Sequence, residues 1–581
     1  MKKKFSIIGL VVILFSMVLF QVTAATASSS RDSDTPGTRT PTKTKTPTKT
    51  KTPTKTKAPT KTKAPTKTKV PTQTKVPTKT KTPTKTPSPS PTATLSPTPT
   101  VNVHSTITEY TGAETCAQCH AQEAAGMLNS EHMQWAGKWD EINTYCTAPE
   151  QSKWACISCH ASTGRVVDQT VADIDCMVCH NDTYQRSLGP SSTTETLTNW
   201  LGESKTYNIP DLIDGAYKQQ PNFAKMPAGT TMLSLAQTVH LPTKNSCLRC
   251  HAGAGGSDGA KRGDIYKALG SPALTTHDDF HMSPQGANLN CQDCHVTSHD
   301  HQIPGKGIDL RIAEGGTVTC QQCHNSKPHG KTNLDTHAGR VACQTCHIPT
   351  YGKNTSTEMH RDWRIPVWNP TSLGGQGAWL GEEVRGSNVI PSYTFWNGQS
   401  FIYSLTQSIE PNANGVYTMA EALGDINDGK LYPIKVHTAV QPRENSSGRM
   451  VSYDVLWNFM TGLYEQAAQN GVDFMGLPGG YTWVDTRTEQ LITHGVEPKA
   501  FALNCASCHE TRTQMDLRTM GYELKDTRDV VCTQCHSLES EVLSFTKLHE
   551  EHVSGENIDC SMCHTFSRPE RNLRIGIVTD N

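Results

Sequence analysis

The chain is poor in apolar and aromatic residues for its length. Of its 581 residues, 35% are hydrophobic and 6% are aromatic, and the formal net charge is zero. After the N-terminal segment, no stretch is apolar over the ~20 residues that a membrane-spanning helix needs. These shortages argue against a polytopic membrane protein and leave little apolar material for an ordinary core.

Cysteine, by contrast, is abundant, and its arrangement is regular. Twenty of the 21 cysteines fall in ten Cys-x-x-Cys-His motifs, which we number site 1 to site 10 in chain order. This motif is typical of c-type haem attachment, in which both thiols form thioethers and the histidine binds iron. A single copy would also suit a zinc half-site or a thiol redox pair, but ten copies, each ending in histidine, favour ten covalently attached haems c.

The predicted attachment residues are Cys116, Cys119, Cys156, Cys159, Cys176, Cys179, Cys247, Cys250, Cys291, Cys294, Cys320, Cys323, Cys343, Cys346, Cys505, Cys508, Cys532, Cys535, Cys560 and Cys563. The predicted proximal iron ligands are His120, His160, His180, His251, His295, His324, His347, His509, His536 and His564.

Fourteen histidines lie outside the motifs, enough for a second axial ligand at every site. Neutral imidazole is the commonest metal ligand, so histidine is expected at most distal positions. The predicted distal ligands are His104, His132, His240, His281, His301, His329, His337, His437, His494 and one of His549 and His552, of which we take His552. We expect His277, His299 and His360 to be spare.

The N-terminus predicts export. Lysines at positions 2–4 precede an apolar run to about residue 22, and small residues then offer cleavage points, so residues 1–27 are predicted to be a signal peptide. An uncleaved anchor is the alternative. The expected location is periplasmic, cell-wall-associated or extracellular, where thioether formation would protect twenty thiols from forming disulfides.

Residues 28–102 are predicted to be a disordered Thr/Pro/Lys spacer. From Pro41 to Lys85 the chain repeats Pro-Thr-Lys-Thr-Lys-Xaa, a composition that favours extended chain. Residues 1–102 hold 19 basic and 2 acidic residues (+17), so the remainder, with 35 and 52, carries −17. The spacer either binds an anionic cell wall and presents the haem domain beyond it, or is an inert linker. No nucleic-acid partner is expected.

The haem domain is predicted to be mainly α with long loops, a haem-packed core and little β-sheet. We divide it into an octahaem core, 103–525, and a C-terminal two-haem extension, 526–581. Within the core, residues 348–504 lack a motif and are predicted to wrap around the haems, with some early β-structure and a helix near residues 451–470.

The core resembles the octahaem tetrathionate reductase family of c-type cytochromes over about residues 104–525. The resemblance rests on segments between the sites as well as on the motifs. These segments are 175–184, 247–264, 279–282, 291–295, 301–305, 341–349, 424–428 and 494–498.

The resemblance implies closely spaced haems and a second haem with a distal lysine, the proposed substrate site of the family. Here the segment after site 2 reads Ala-Ser-Thr-Gly-Arg-Val-Val-Asp, and no lysine precedes Cys176. Lys138, Lys153 and Lys205 are possible substitutes. Arg262 stands where the family has histidine, and His240 is a possible replacement for that ligand. Cys146, ten residues before site 2, is either a thiol that acts at this haem, near His160, or an inert one.

Two functions follow from these patterns. The first is an extracytoplasmic electron carrier that passes electrons along a chain of haems from partner cytochromes or quinol-side donors to a mineral, an electrode or another cytochrome. Self-assembly of copies is a further possibility. The alternative is a reductase of tetrathionate or of another small nitrogen or sulfur oxyanion at the second haem. A distal histidine at site 2 would favour the first and a lysine or open face the second.

Overall fold

The computed structural model describes residues 102–134, 142–145, 157–164, 168–189, 191–213, 216–305, 316–509, 513–515, 522–537, 545–556 and 558–566. The predicted signal peptide, almost all of the predicted spacer, and Cys146, Cys156, Lys138 and Lys153 lie outside these ranges. Among the described residues, no helix has both the length and the apolar character needed to cross a bilayer.

The helices of the described part are short. In chain order they are α1 (Ala113–Ala117), α2 (Ala121–Leu128), α3 (Met177–His180), α4 (Met232–Gln237), α5 (Lys244–His251), α6 (Thr332–His337), α7 (Cys343–His347), α8 (Val455–Thr461), α9 (Tyr464–Phe474), α10 (Cys505–His509), α11 (Arg528–Cys532) and α12 (Phe545–His549). Short 3-10 turns lie at Val103–Thr106, Ile157–Cys159, Val171–Asp173, Phe223–Lys225, Lys267–Gly270, Cys291–Asp293, Cys320–Gln322, Leu373–Gly375 and Cys560–Met562, and a π-helical turn at Glu550–Gly555.

Several motifs form a single helical turn. The amide of His120 donates to the carbonyl of Cys116 at 2.9 Å, and the same bond closes the turns that end at His180, His295, His324 and His536. Residues i, i+3 and i+4 share one face of such a turn. The motif spacing therefore presents two thiols and one imidazole to the same side of the backbone.

The prediction of little β-sheet is wrong. Helices hold 26% and strands 23% of the residues that the structure describes, and one mixed sheet has seven strands. The strands are β1 (Arg186–Leu188), β2 (Ser192–Thr198), β3 (Ser204–Pro210), β4 (Gln219–Pro221), β5 (Thr357–Asn369), β6 (Ala378–Gly386), β7 (Ser392–Trp396), β8 (Ser400–Ile402), β9 (Tyr417–Ala422), β10 (Lys430–Glu444), β11 (Tyr481–Leu491), β12 (Tyr522–Leu524) and β13 (His564–Phe566).

The large sheet is built entirely from the motif-free stretch. Its order is β6-β5-β10-β11-β9-β8, with β7 also paired to β10. β10 runs parallel to β5 and antiparallel to β11, whereas β11 runs parallel to β9. Three two-stranded sheets, β1–β4, β2–β3 and β12–β13, lie outside it. The segment predicted to wrap the haems is thus a sheet domain with its own core.

Helices α8 and α9 cover part of this sheet and occupy the region where a helix is predicted. Trp363 of β5 packs with Tyr453, Ala467 and Ala468, all at most 1% exposed. Their burial removes two large aromatic surfaces from water, at about 25 cal/mol per Å² of apolar area. Part of the buried apolar surface of the protein therefore lies in the motif-free stretch, in addition to the clusters beside the motifs.

Candidate haem centre

One large cavity connects all ten motifs. Its volume is about 5790 Å³, and its lining includes at least one cysteine or histidine from each site. Alongside them lie apolar side chains such as Leu241, Val296, Ile303 and Leu334, each more than a third exposed in the bare polypeptide. Exposed apolar groups that face a shared space are expected where the ligand supplies the other half of the apolar contact.

Nine motif histidines each have a second imidazole ring opposite them. The ring centroids are separated by 6.1 Å for His104–His120, 6.1 Å for His132–His251, 6.5 Å for His301–His180, 6.1 Å for His281–His324, 6.2 Å for His494–His295, 6.3 Å for His329–His347, 6.1 Å for His337–His509, 5.6 Å for His552–His536 and 6.2 Å for His549–His564.

This spacing fits two axial ligands on one iron. A metal–imidazole nitrogen bond is about 2 Å long, so two imidazoles on opposite sides of one iron place their centroids roughly 6 Å apart. Direct stacking would bring the rings closer, as for Tyr145 and His437 at 3.7 Å. The nine pairs are therefore suited to hold haem iron, and the cysteines beside them to hold the porphyrin.

In several pairs the other ring nitrogen, Nδ1, is bonded to the protein. His180 Nδ1 donates to the His240 carbonyl at 3.0 Å, and His295 Nδ1 to the Pro304 carbonyl at 2.6 Å. His329 Nδ1 lies 3.1 Å from the Asp335 carboxylate. Such bonds fix the tautomer and leave Nε2 for a metal, which is the usual arrangement of a ligating histidine.

Burial keeps these imidazoles neutral. Desolvation lowers the pKa of His251 to about 4, with a smaller contribution from His132 opposite it. Desolvation also lowers the pKa of His132 and of His180. The neutral ring is the form that binds iron.

Two predicted distal ligands are placed elsewhere. His240 accepts the Asp182 amide at Nε2, at 3.2 Å, and its Nδ1 lies 2.7 Å from the Leu241 carbonyl. His437 is buried in β10, with Nδ1 2.7 Å from Thr144 Oγ1 and Nε2 3.1 Å from Glu358. Both nitrogens of each ring are engaged, so neither ring faces a motif histidine, although the His240 backbone carbonyl bonds to His180.

The remaining histidines complete the account. His549 and His552, between which the sequence left a choice, both face motif histidines. The expected spares contact side chains: His277 lies near Glu497, His299 near Glu123 and His360 near Thr438. All fourteen are thereby placed, nine opposite motif histidines and five with other partners.

The cysteines reveal which sites are neighbours. Cysteine side chains of different sites lie close together at sites 1 and 3 (Cys116–Cys176), 4 and 5 (Cys247–Cys291), 6 and 7 (Cys320–Cys343), and 2 and 4 (Cys159–Cys250). Close electrostatic contacts link sites 3 and 4 (Cys179–Cys247), 5 and 6 (Cys294–Cys323), 7 and 8 (Cys346–Cys508), and 9 and 10 (Cys532–Cys563).

These contacts define a row of sites in the order 1, 3, 4, 5, 6, 7 and 8. Site 2 meets this row at site 4 through Cys159 and Cys250. Sites 9 and 10 form a separate pair. The row follows the sequence order except at its start, where site 3 and not site 2 lies next to site 1.

Arg186 of β1 shapes the backbone at site 2. Its guanidinium donates to the carbonyls of Ser158 and Ser162, both at 3.1 Å, and to that of His160. It also pairs with the buried Asp175 at 2.9 Å. The motif pattern did not point to this arginine, because nothing in the spacing relates it to Cys159.

Comparisons with known proteins agree with this centre. The family model described as "Cytochrome c bacterial" matches residues 379–512. The crystal structure of octaheme cytochrome c from Shewanella oneidensis is 27% identical, with a TM-score of 0.56, over 72% of this chain and 96% of that one. An uncharacterized protein of Archaeoglobus fulgidus is 24% identical over 265 residues, 37% of this chain and 83% of its own.

The chain is a multihaem c-type cytochrome. The structural match, the ten motifs and the nine ring pairs all indicate covalently bound haem c, and haem of this kind transfers electrons. Seven sites of the core, 1 and 3 to 8, have both a facing imidazole and a neighbouring cysteine in an adjacent site, an arrangement that suits transfer from haem to haem.

Proposed function

We propose that the protein is an exported decahaem cytochrome that carries electrons along the row of sites. Each motif would hold one haem through its two cysteines and its histidine, and nine would be completed by the facing histidine. The observation that carries this proposal is the set of nine ring pairs at 5.6 to 6.5 Å. When bound, the haems supply the one-electron chemistry, while the protein fixes their order and excludes other ligands.

The ligation supports electron transfer at those nine sites. Two imidazoles saturate the iron, so a substrate has no open position there. The hydrogen bonds from His180, His295 and His329 hold the rings in place. Rigid ligation favours electron exchange without rearrangement of the protein.

A second candidate function, reduction of a small oxyanion at site 2, is favoured by where the fourteen histidines outside the motifs lie. Because the fourteen histidines are all placed elsewhere, site 2 would take its distal group from another residue type or keep an open face. Site 2 also lies beside the row and not within it, in contact with site 4. Lys261 lines the cavity that all ten sites share, whereas Arg262 in the same lining is paired with Asp264.

The location and the partners belong to the same proposal. Export through the N-terminal segment would place the protein where haem c is attached, in the periplasm, at the cell wall or outside the cell. Its donor would be a partner cytochrome or a quinol-side protein, and its acceptor another cytochrome, a mineral or an electrode. The lysine-rich spacer would bind an anionic wall.

The test combines haem stoichiometry, spin state and reactivity of the purified protein. We expect a mass increase corresponding to ten haems, nine low-spin signals and one distinct signal in the electron paramagnetic resonance spectrum. Reoxidation of the reduced protein by tetrathionate, nitrite or hydroxylamine would support catalysis at site 2. Ten low-spin bis-histidine signals with no reaction would overturn that second function and leave the carrier.

A further inference from the structure

We propose that site 8 is the junction through which the core exchanges electrons with the C-terminal extension, and that the Arg340–Asp559 ion pair holds this junction together. The inference rests on the proposed electron row and adds a connection that the cysteine contacts do not supply. It assigns a role to an arginine that lies outside every motif.

The distal ligand of site 8 lies on the element that the extension touches. Helix α6 ends at His337, whose ring faces His509 of site 8. The same helix packs against the π-helical turn Glu550–Gly555, which carries His552, the imidazole that faces His536 of site 9. Ligands of sites 8 and 9 are therefore carried by two elements in direct contact.

Arg340 follows His337 by three residues and reaches the other site of the extension. Its Nε donates to Asp559 Oδ2 at 2.8 Å, and Nη2 binds the same carboxylate. Asp559 immediately precedes Cys560 of site 10 and also accepts the amide of Ser561 at 2.9 Å. The Arg340 guanidinium is therefore bound to the residue that directly precedes the site 10 motif.

The core holds Arg340 in a fixed position. Its Nη1 donates to the carbonyls of Ile426 and Asn427 at 2.9 and 3.0 Å. Its own carbonyl accepts the amide of Leu431 in β10 at 2.8 Å. The large sheet therefore positions the arginine, and the arginine positions the extension.

The two sites of the extension share one short segment, so contacts made by that segment orient both of them. His549 and His552 are three residues apart and face His564 and His536 respectively. The end of the core also contacts the extension, because β12 pairs with β13 and the Lys525 amide donates to the Cys563 carbonyl at 3.0 Å. An electron that arrives at site 8 from site 7 leaves to this pair, and no bond is made or broken.

The test uses Arg340→Glu in the full-length holoprotein. The matched control is Arg364→Glu, which breaks a comparable arginine–carboxylate pair with Asp362 on β5. We expect hydrogen exchange of residues 545–559 to become about fivefold faster, as for the loss of an ion pair worth ~1 kcal/mol. We also expect the magnetic coupling between the extension haems and the core haems to disappear from the resonance spectrum.

The charge-swapped double variant, Arg340→Glu with Asp559→Arg, should restore both signals, and Arg364→Glu should change neither. Unchanged exchange in Arg340→Glu would overturn the docking role of the arginine. Faster exchange with unchanged magnetic coupling would overturn site 8 as the junction. Haem stoichiometry and reducibility of the wild type are measured separately, so a failure of the proposed function is recognised independently of these outcomes.

Discussion

At the scale of single residues, position and not residue type decides which histidines present a ring to a motif histidine. His301 and His240 both lie beside His180, but only His301 presents its ring to it, whereas His240 contributes its backbone carbonyl. The number of histidines in the sequence is sufficient for a second ligand at every site. That number does not distinguish a histidine that presents its ring from one that contributes only its backbone carbonyl. The distinction depends on side-chain direction, which follows from tertiary packing.

This difference is directly testable at site 3. We expect His301→Ala to convert about one tenth of the haem to a high-spin form, because one of ten irons loses an axial nitrogen. His240→Ala should leave the spin state unchanged, since the carbonyl that holds His180 is retained. Resonance and absorption spectra of the two variants decide it, and a high-spin signal in His240→Ala would contradict the ligand assignment.

Arg186 offers a second test at this scale. Arg186→Gln would leave Asp175 buried without its charged partner and release three carbonyls at site 2. Removing one member of a buried pair costs about 3 kcal/mol, so we expect a clear loss in chemical unfolding. Arg186→Lys keeps the positive charge but loses the planar guanidinium geometry, so its free energy of unfolding should lie between those of the wild type and Arg186→Gln. Equal stability of Arg186→Gln and wild type would refute this role.

At the scale of elements, the motifs could be predicted from the sequence and the sheet could not. The described motif turns follow from local spacing, because thiols at i and i+3 and an imidazole at i+4 share one face. β10, however, carries Pro433 and Pro442 and buries Lys435 and Glu444 completely. Proline and buried charge both argue against a central strand. Their partners are supplied by other strands and loops, so the sequence of β10 alone does not reveal them.

A third buried charge, Glu358 of β5, makes the stability of the sheet sensitive to acid. Burial acts to raise the pKa of Glu358, but hydrogen bonds from His437 and from Arg361 outweigh it and lower the value to about 2. A carboxyl with a depressed pKa stabilises the fold above its unfolded pKa, ~4.3. That contribution is lost as the pH falls toward 2.

We therefore expect Glu358→Gln to lower the free energy of unfolding at pH 7 by about 3 kcal/mol and to flatten its dependence between pH 4.5 and 2. Glu382→Gln, at an exposed position of β6, is the control and should change little. Urea unfolding followed by far-ultraviolet circular dichroism at several pH values measures both effects. An unchanged acid transition in Glu358→Gln would show that this pair does not control it.

At the scale of the whole molecule, the spatial order of the sites differs in part from their order in the sequence. Contacts between cysteines join some sites that are not consecutive in the sequence, such as Cys116 of site 1 with Cys176 of site 3 and Cys159 of site 2 with Cys250 of site 4. The sequence could predict how many sites exist, but their order in space depends on how loops fold across one another. That order leaves Cys159 of site 2 beside site 4 of the row, where the proposed reaction would not interrupt electron transfer along it.

The charge distribution of the whole molecule predicts how fast charged redox partners reach it. The chain is neutral overall, but residues 103–581 carry a net charge of −17, and haem propionates would add to it. Exposed charges are screened within about 10 Å at 0.1 M salt. Reduction by a cationic donor, the methyl viologen radical, should therefore slow as salt rises from 0.01 to 0.5 M, by roughly tenfold for a steered encounter. Reduction by the anionic dithionite radical should instead accelerate, because the repulsion is screened.

Stopped-flow measurements at constant pH compare the two rates. Residues 1–102, which include the spacer, carry a charge of +17, which would attract the anionic donor and repel the cationic one. If the spacer governed the encounter, both salt dependences would reverse, and if the charges cancelled, neither rate would change.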